Sequence, residues 1–247
     1  MLIALLADLH ANREALATCL AHAERSRAER YAFLGDLVGY GADPGWVLDT
    51  VMSFVERGAI AVLGNHDAAV LHGPHQTMNA DAQKVIAWTR AHLTELQMEF
   101  LAALPLQAED GERLYVHANA WAPDRWEYIT GAFEAKRSIT ATHRRYTFCG
   151  HVHQPALYHM GTNGHAAAFT PIPGTAIPLG PQRRWLAIPG SVGQPRDGVP
   201  AACYALFDTA RGVLTYFRVP YDFAAAASKI RSAGLPKRFV VLLEEGR

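Results

Sequence analysis

The chain has 247 residues, of which half are hydrophobic and 19% are charged. A chain of this length buries roughly 70–75% of the surface that it exposes when unfolded, so a stable core needs no disulfide or structural metal. Lysine plus arginine and aspartate plus glutamate balance at 23 each, which argues against a strongly basic nucleic-acid or membrane-surface binder. The composition also excludes a disordered polar chain.

The cysteines and the N-terminal residues predict a soluble, cytoplasmic protein. Cys19, Cys149 and Cys203 are odd in number and widely spaced, which is typical of reduced thiols and not of a disulfide framework. The apolar start, residues 1–6, lacks a basic segment and meets Asp8 too early for a signal peptide. Since no apolar run approaches the ~18 residues that a membrane helix needs, we expect no membrane association.

The first 64 residues predict alternating strands and helices. Short apolar runs suit strands that are buried on both faces, and apolar residues at helical spacing indicate amphipathic helices. Strands are expected over 2–7, 31–34 and 59–63, with one helix capped by Asn12 and a second from Pro44 to Gly58. This strand–helix alternation is the pattern of a parallel sheet.

The rest of the chain predicts one long helix followed mainly by strands. The helix is expected from Ala80, with Asn79 as its N-cap, to about Ala103. Strands are expected over 113–117, 146–149, 156–160, 185–188, 201–208 and 213–219, and a closing helix over 223–233. Residues 161–185 contain four glycines and four prolines, which indicates a long excursion, either an irregular loop or a short hairpin arm. No repeat or shift in composition marks a second domain, so residues 1–247 are predicted to form a single domain.

Polar segments follow several predicted strands at the point where each strand ends. They are Asp8-Leu9-His10, Gly35-Asp36, Gly64-Asn65-His66-Asp67, His117 and Gly150-His151-Val152-His153. Ligands bind beyond the carboxyl ends of strands in open α/β sheets, so we expect these segments to converge. One such segment alone is more often a capping or surface pair, whereas five of them at strand ends favour a functional site.

The side chains in these segments suit divalent transition metals. Carboxylate, imidazole and amide-oxygen ligands accommodate Mn, Fe, Zn, Ni or Co, whereas a structural zinc site uses thiolates. The segments supply these donors from Asp8, His10, Asp36, Asn65, His117, His151 and His153. Seven ligands exceed the need of one ion. Two ions that share one carboxylate would use all seven and make a phosphoryl-transfer site.

The order of these motifs, D-x-H, G-D, G-N-H-D, a lone H and G-H-x-H, resembles the calcineurin-like metallophosphoesterase superfamily. The segments 38–44, 189–197 and 219–222 resemble a compact bacterial and archaeal branch of it. The resemblance spans the chain and implies an α/β fold, a two-sheet β-sandwich flanked by helices in four layers (α/β/β/α). Ala7, Ala11 and Ala118 replace the Ser, Gly and Gly that are usual there, which affects fine specificity but removes no donor atom.

The resemblance also implies a role for each motif residue. The first metal ion would be bound by Asp8, His10, Asp36 and His153, and the second by Asp36, as the bridge, with Asn65, His117 and His151. His66 would contact a phosphate oxygen or protonate the leaving group, with Asp67 orienting its ring. The implied reaction is hydrolysis of a small-molecule phosphate ester, with a phosphodiester favoured, by in-line attack of a metal-bridging hydroxide.

Arg196 is the first candidate for contact with the substrate. Its guanidinium could bind phosphate oxygens in a bidentate manner, but it could equally pair with Asp197 or Asp222 for stability.

Aromatic and histidine side chains provide further candidates for the walls of a pocket. Tyr40, together with Trp121, Trp126 and Tyr128, could form such a wall, although aromatic residues in loops more often only pack. His72 and His75 follow the third motif and could rim the site, but solvated loop histidines are the simpler interpretation.

Two other functions stay open. A serine/threonine protein phosphatase would use the same chemistry, although the sequence has no long acidic or basic recognition surface. A metal-binding, non-catalytic interaction scaffold belongs to a different class, but a pure metal binder would not need His66. The expected partner is a small-molecule phosphate ester, with no nucleic acid and no membrane. A homo-oligomer stays open, with residues 161–185 as a potential dimer arm.

Overall fold

The computed structural model describes residues 1–74 and 78–247, and within them the chain forms two six-stranded sheets and eight α-helices. The strands are β1 (Leu2–Leu6), β2 (Arg30–Phe33), β3 (Ile60–Ala61), β4 (Gln107–Asp110), β5 (Arg113–Val116), β6 (Tyr146–Phe148), β7 (Ala156–Met160), β8 (Ala166–Phe169), β9 (Ala176–Pro178), β10 (Arg184–Ile188), β11 (Ala202–Asp208) and β12 (Val213–Val219). The helices are α1 (Arg13–Arg25), α2 (Pro44–Glu56), α3 (Asn65–His72), α4 (Ala80–Ala91), α5 (Glu95–Ala103), α6 (Ala132–Thr140), α7 (Phe223–Ser232) and α8 (Lys237–Glu245).

The first sheet has the strand order β3-β2-β1-β11-β12-β9 and contains the predicted parallel unit. β1 pairs in parallel with β2, and β2 with β3. Alternate residues of a strand point to opposite faces. Ile3 and Leu5 therefore enter the core between the sheets, while Ala4 and Leu6 pack against helices. Both faces of β1 are buried, which explains its uninterrupted apolar sequence.

The second sheet, β4-β5-β6-β10-β7-β8, packs face to face on the first. Aromatic side chains, including Tyr115, Phe148, Phe207 and Tyr216, fill the space between them. The helices α1 and α2 cover the outer face of the first sheet, and α6 covers that of the second. The predicted four-layer α/β/β/α sandwich is confirmed, and the single-domain organisation stays a prediction.

The prediction of one helix over residues 80–103 is wrong, because the segment forms two helices. The capping box of Thr94 and Gln97 begins α5: the Thr94 hydroxyl accepts a hydrogen bond from the backbone N–H of Gln97, and the Gln97 side chain accepts one from that of Thr94. A second difference is α8, for which the sequence analysis predicted no helix.

The excursion at 161–185 contains two edge strands. β8 forms a hairpin with β7 at the edge of the second sheet, and β9 pairs with β12 at the edge of the first. The hairpin interpretation therefore holds for the first half of the excursion, while the second half crosses to the other sheet.

Two remaining predictions concern the state of the cysteine thiols and the presence of membrane-spanning helices. Cys19, Cys149 and Cys203 are free and buried. Among the described helices, none combines the length and the apolar character needed to cross a membrane.

Candidate active site

The polar segments converge at one edge of the sandwich, beyond the carboxyl ends of β1, β2, β5 and β6. One group of potential metal ligands consists of Asp8, His10, Asp36 and His153, whose donor atoms all lie within 4.8 Å of one another. A second group within the same limit consists of Asp36, His117 and His151. The Asn65 amide oxygen lies 3.0 Å from His117 Nε2 and adds a neutral donor to the second group.

The backbone at this edge is strained. Asp8, His10, Asp36, His151 and His153 all have positive φ angles, between 46° and 68°, a conformation that costs a non-glycine residue about 1–3 kcal/mol. Ala11, one of the departures from the family pattern, also has a positive φ of 51°. The strained turns bring side chains from different strands to one point.

Close backbone contacts hold these turns in place. The Gly193 N–H donates to the Asp8 carbonyl at 2.9 Å, and the Gly41 N–H donates to that of His10 at 3.0 Å. A Cβ at Gly193 would lie only 1.9 Å from the Leu9 carbonyl oxygen. This approach therefore requires glycine.

A backbone carbonyl fixes the orientation of each histidine ring in the two groups. In the first group, His10 Nδ1 lies 3.2 Å from the Val38 carbonyl oxygen, and His153 Nδ1 lies 2.6 Å from the Gln194 carbonyl oxygen. In the second group, His117 Nδ1 lies 2.8 Å from the Leu34 carbonyl oxygen, and His151 Nε2 lies 2.8 Å from the Trp126 carbonyl oxygen. A carbonyl oxygen only accepts, so each of these nitrogens donates. The other nitrogen of each ring points into the cluster, where it presents a lone pair in every ring that is neutral.

These ring nitrogens face one another in two places. His10 Nε2 lies 3.1 Å from His153 Nε2, and His117 Nε2 lies 3.2 Å from His151 Nδ1. The lone pairs of His10 and His153 repel each other, and a cation bound by both nitrogens removes the repulsion. In the other pair a metal ion would take the place of the His117 proton. The donor set therefore fits divalent metal binding.

Asp36 lies between the two groups. Its Oδ2 is 3.4 Å from His117 Nε2 and 3.7 Å from His10 Nε2. Burial disfavours the charged carboxylate, but His117 and His66 outweigh this effect and hold the pKa of Asp36 well below its usual value. Asp36 is therefore a buried anion that both groups can share.

Burial dominates the pKa values of Asp8, His10, His151 and His153, whereas for His117 burial is outweighed by the Asp36 charge, which raises the pKa of His117 to about 9. Burial raises the pKa of Asp8 to about 7 and lowers that of His151 to about 3. It also holds the pKa values of His10 and His153 well below their usual range. The imidazoles of His10, His151 and His153 are therefore neutral, which is the form that binds metals, and His117 would release its proton when a metal ion binds. A nearby cation would also stabilise the Asp8 anion.

His66 is buried at the first turn of α3. Its backbone N–H donates to Asp36 Oδ1 at 2.8 Å, and its ring contacts that of Tyr40, with centroids 4.4 Å apart. A Cβ at Gly39, where φ is 91°, would lie 2.7 Å from His66 Nδ1. Gly39 therefore leaves the space that the His66 ring occupies.

The prediction that Asp67 orients the His66 ring is wrong. The Asp67 carboxylate accepts hydrogen bonds from the backbone N–H groups of Gly64, at 2.9 Å, and Val38, at 3.1 Å. The first N–H groups of a helix lack partners within the helix, and a buried carboxylate satisfies one of them. Among the described residues, His66 Nδ1 has no hydrogen-bond partner.

A cleft of about 880 Å³ opens beside the metal-ligand candidates. Tyr40, Trp126 and Tyr128 line it, as does His72, while His75 lies outside the described residues. The Tyr128 ring stacks on His151, with centroids 4.0 Å apart, and keeps 48% of its surface exposed. Trp121 instead packs under the Arg137 guanidinium. Three of the four aromatic candidates therefore face the cleft.

Arg196 also lines the cleft. Its Nη2 lies 3.4 Å from the Tyr40 hydroxyl. The alternative partners are engaged elsewhere, since Asp197 pairs with Arg218 and Asp222 accepts the Ala225 N–H at the start of α7. The guanidinium therefore stays available to the cleft.

Three arginines of the cleft, Arg125, Arg238 and Arg247, had not been predicted. For Arg238 and Arg247 the reason is that α8 had not been predicted. The buried side chains Phe239, Val240 and Leu243 follow helical spacing. This apolar spacing after Pro236 is the signal in the sequence that indicates α8.

Known proteins resemble this chain along its whole length. Residues 1–212 match the calcineurin-like phosphoesterase superfamily domain. An uncharacterized protein of Methanocaldococcus jannaschii is 32% identical over 96% of this chain and 94% of its own. The crystal structure of a metallophosphoesterase from Sphaerobacter thermophilus is 34% identical, with a TM-score of 0.89 over 100% of this chain and 99% of its own. A hypothetical protein from Pyrococcus horikoshii shares the fold at 17% identity, with a TM-score of 0.80 over 100% of this chain and 98% of its own. The chain therefore belongs to the calcineurin-like phosphoesterase superfamily, whose members depend on metal ions, and it is a phosphoric ester hydrolase.

Proposed function

We propose that the protein hydrolyses small-molecule phosphodiesters with two divalent transition-metal ions, of which Mn²⁺ is a suitable candidate. The observation that carries this proposal is the two facing pairs of histidine nitrogens, 3.1 and 3.2 Å apart, with Asp36 between them. One ion would be held by Asp8, His10, Asp36 and His153, and the other by Asp36, Asn65, His117 and His151. When bound, two such ions supply Lewis acidity and an activated water at neutral pH.

The side chains of Asn65, His66 and Asp67 would set the charge and the orientation of the groups that react. Asn65 contributes an amide oxygen without adding negative charge near the phosphate. His66 lines the cleft and would contact a phosphate oxygen or donate a proton to the leaving oxygen. The Asp67 carboxylate holds the start of α3 through Gly64 and Val38, and so fixes the backbone that carries His66.

The shape of the cleft favours a diester over a monoester. A diester carries two organic groups, and the volume of about 880 Å³ is at the upper end of the usual range for small-molecule sites. Tyr128 offers an exposed ring beside His151, on which a flat organic group can stack. A cytoplasmic location stays a prediction.

The proposal is tested by adding Mn²⁺ to chelated protein and comparing bis(p-nitrophenyl) phosphate with p-nitrophenyl phosphate. We expect metal-dependent turnover with a higher kcat/KM for the diester. Asp36→Asn keeps the shape but removes the shared charge, so we expect a loss of more than about 100-fold together with a lower metal content, since even changes behind the ligands cost 10–100-fold.

Other outcomes point to the alternatives. A preference for the monoester would contradict the diesterase and favour a phosphatase, including one that acts on protein. Two bound metal ions without turnover of either ester would favour the non-catalytic scaffold.

A further inference from the structure

The outer part of the cleft carries an excess of positive charge. Arg125, Arg196, Arg238 and Arg247 line it, whereas Glu127 is the one carboxylate among the described residues of its outer wall. Glu127 is itself paired with Arg137 at 3.2 Å. The whole chain has no net charge, so this accumulation is local and does not follow from composition.

Arg238 and Arg196 are the arginines best placed to bind an anion. The described ion pairs in and after α8 join Arg231 with Glu244 and Arg247 with Glu245, and Arg238 takes part in neither. Asp197 and Asp222, the carboxylates considered as partners of Arg196, are engaged with other groups. Two guanidinium groups without carboxylate partners suit phosphate oxygens, which they can bind in a bidentate manner.

The fold holds α8 against the loop that carries Arg196. At one end of the helix, the buried Phe239 ring packs on Tyr40, with centroids 4.8 Å apart, and Tyr40 in turn contacts Arg196. At the other end, the Gly198 N–H donates to the Gly246 carbonyl at 2.8 Å. A Cβ at Gly246 would lie 2.6 Å from the backbone of Val199. Arg238 and Arg196 therefore border one cleft on two elements that are fixed to each other.

We propose that the substrate is a phosphodiester that carries at least one further phosphate group, and that Arg238 and Arg196 bind this second phosphate. The inference rests on the proposed function, because it places the hydrolysed phosphate at the metal-ligand groups. The size of the cleft agrees with it, since about 880 Å³ exceeds the need of a single phosphate with one small organic group.

The test compares how strongly orthophosphate and pyrophosphate inhibit hydrolysis of bis(p-nitrophenyl) phosphate at a fixed concentration of free Mn²⁺. We expect pyrophosphate to bind the wild-type protein at least about 10-fold more tightly than orthophosphate. In Arg238→Ala, most of this ratio should disappear, because the variant lacks a charge-assisted hydrogen bond to the second phosphate.

Lys237→Ala is the matched control. Lys237 precedes Arg238 and carries the same charge, but it borders only a neighbouring cavity between α4 and α8, whereas Arg238 lines both that cavity and the cleft. We expect this variant to keep the wild-type ratio. If Lys237→Ala lowered the ratio as much as Arg238→Ala, the second phosphate would bind in that neighbouring cavity and the assignment to the cleft would be overturned.

The two hypotheses fail in distinguishable ways. An unchanged ratio in Arg238→Ala, with the ester still hydrolysed, overturns the second-phosphate site and leaves the proposed function intact. If the wild-type protein hydrolyses no ester, the proposed function is wrong. In that case, the second-phosphate site is tested by calorimetry. The Mn²⁺-loaded wild type and both variants are titrated with orthophosphate and pyrophosphate, and the ratio of the two affinities is compared between them.

Discussion

The inner and outer parts of the active site are built in different ways. The inner part consists of the metal-ligand candidates, which are almost all fully buried and whose histidine rings are each fixed by a backbone carbonyl. The outer part consists of the cleft walls, where Tyr128 is 48% exposed and Arg238 is also exposed. The inner part depends on backbone geometry, whereas the outer part depends on which side chains distant segments bring to the surface.

The inner and outer parts also differ in backbone strain. Nine non-glycine residues of the described chain have positive φ angles, and all but Arg27 lie at the site or beside it. Each such residue costs about 1–3 kcal/mol, which the surrounding hydrogen bonds must offset. Strain of this kind makes the inner geometry sensitive to small changes. Exposed walls tolerate substitution, so differences in substrate between related proteins are expected there.

The largest effect within this comparison is expected for His66→Ala. The backbone N–H of residue 66, and not its ring, bonds to Asp36, so the alanine variant should keep its metal ions. Loss of the ring should lower kcat by about 10²–10⁴-fold, as for a missing general acid. Kinetics with bis(p-nitrophenyl) phosphate and elemental analysis check both statements. Loss of metal in this variant would show that the ring supports the ligand groups instead.

A smaller effect on kcat is expected for Gly39→Ala. The new Cβ would lie 2.7 Å from His66 Nδ1, so the ring must move. We expect kcat to fall by about 10-fold, which corresponds to 1.4 kcal/mol in the barrier, while the metal content stays unchanged.

Gly58→Ala is the control for this substitution. Gly58 has nearly the same φ, 90°, but nothing lies within 4 Å of its Cβ position. Both variants should lose about 1–2 kcal/mol of stability from the left-handed backbone, and only Gly39→Ala should also lose activity. Equal activity in the two variants would show that the position of the His66 ring has little effect on the reaction.

The inner part was accessible to sequence analysis because its residues lie in short motifs at the ends of predicted strands. Strand ends in one sheet meet at one edge, so Asp8 and Asp36, which follow β1 and β2, could be placed together without knowledge of the loops. His117 follows β5 of the other sheet, and its place beside them was implied by the motif order of the family. The role of Asp67 could not be predicted in the same way. Its neighbour in sequence is His66, but its carboxylate accepts from the Gly64 N–H at the start of α3 and from the Val38 N–H. Only the local backbone decides between these partners.

The outer part could be predicted only in part, because it depends on packing between distant segments. Arg238 faces the cleft because Phe239 packs on Tyr40, nearly 200 residues earlier in the chain. Sequence spacing can identify α8 as amphipathic, but it does not tell which surface the helix covers. Similarly, Trp121 and Tyr128 were equivalent candidates in the sequence, and only the fold separates the ring that packs under Arg137 from the one that faces the cleft.

The smallest effect is expected for Tyr128→Ala. Removal of an aromatic contact of about 0.5–1.5 kcal/mol should raise KM for bis(p-nitrophenyl) phosphate by about 2–10-fold, and Tyr128→Phe, which keeps the ring, should stay near the wild-type value. Phe133→Ala, an exposed aromatic residue on α6 that does not line the cleft, is the control for a general surface effect. Because Tyr128 stacks on His151, the division of the effect between KM and kcat is informative. A change confined to KM agrees with a wall that only binds substrate, whereas a fall in kcat would mean that Tyr128 acts through His151 and that the outer wall helps to fix the inner geometry.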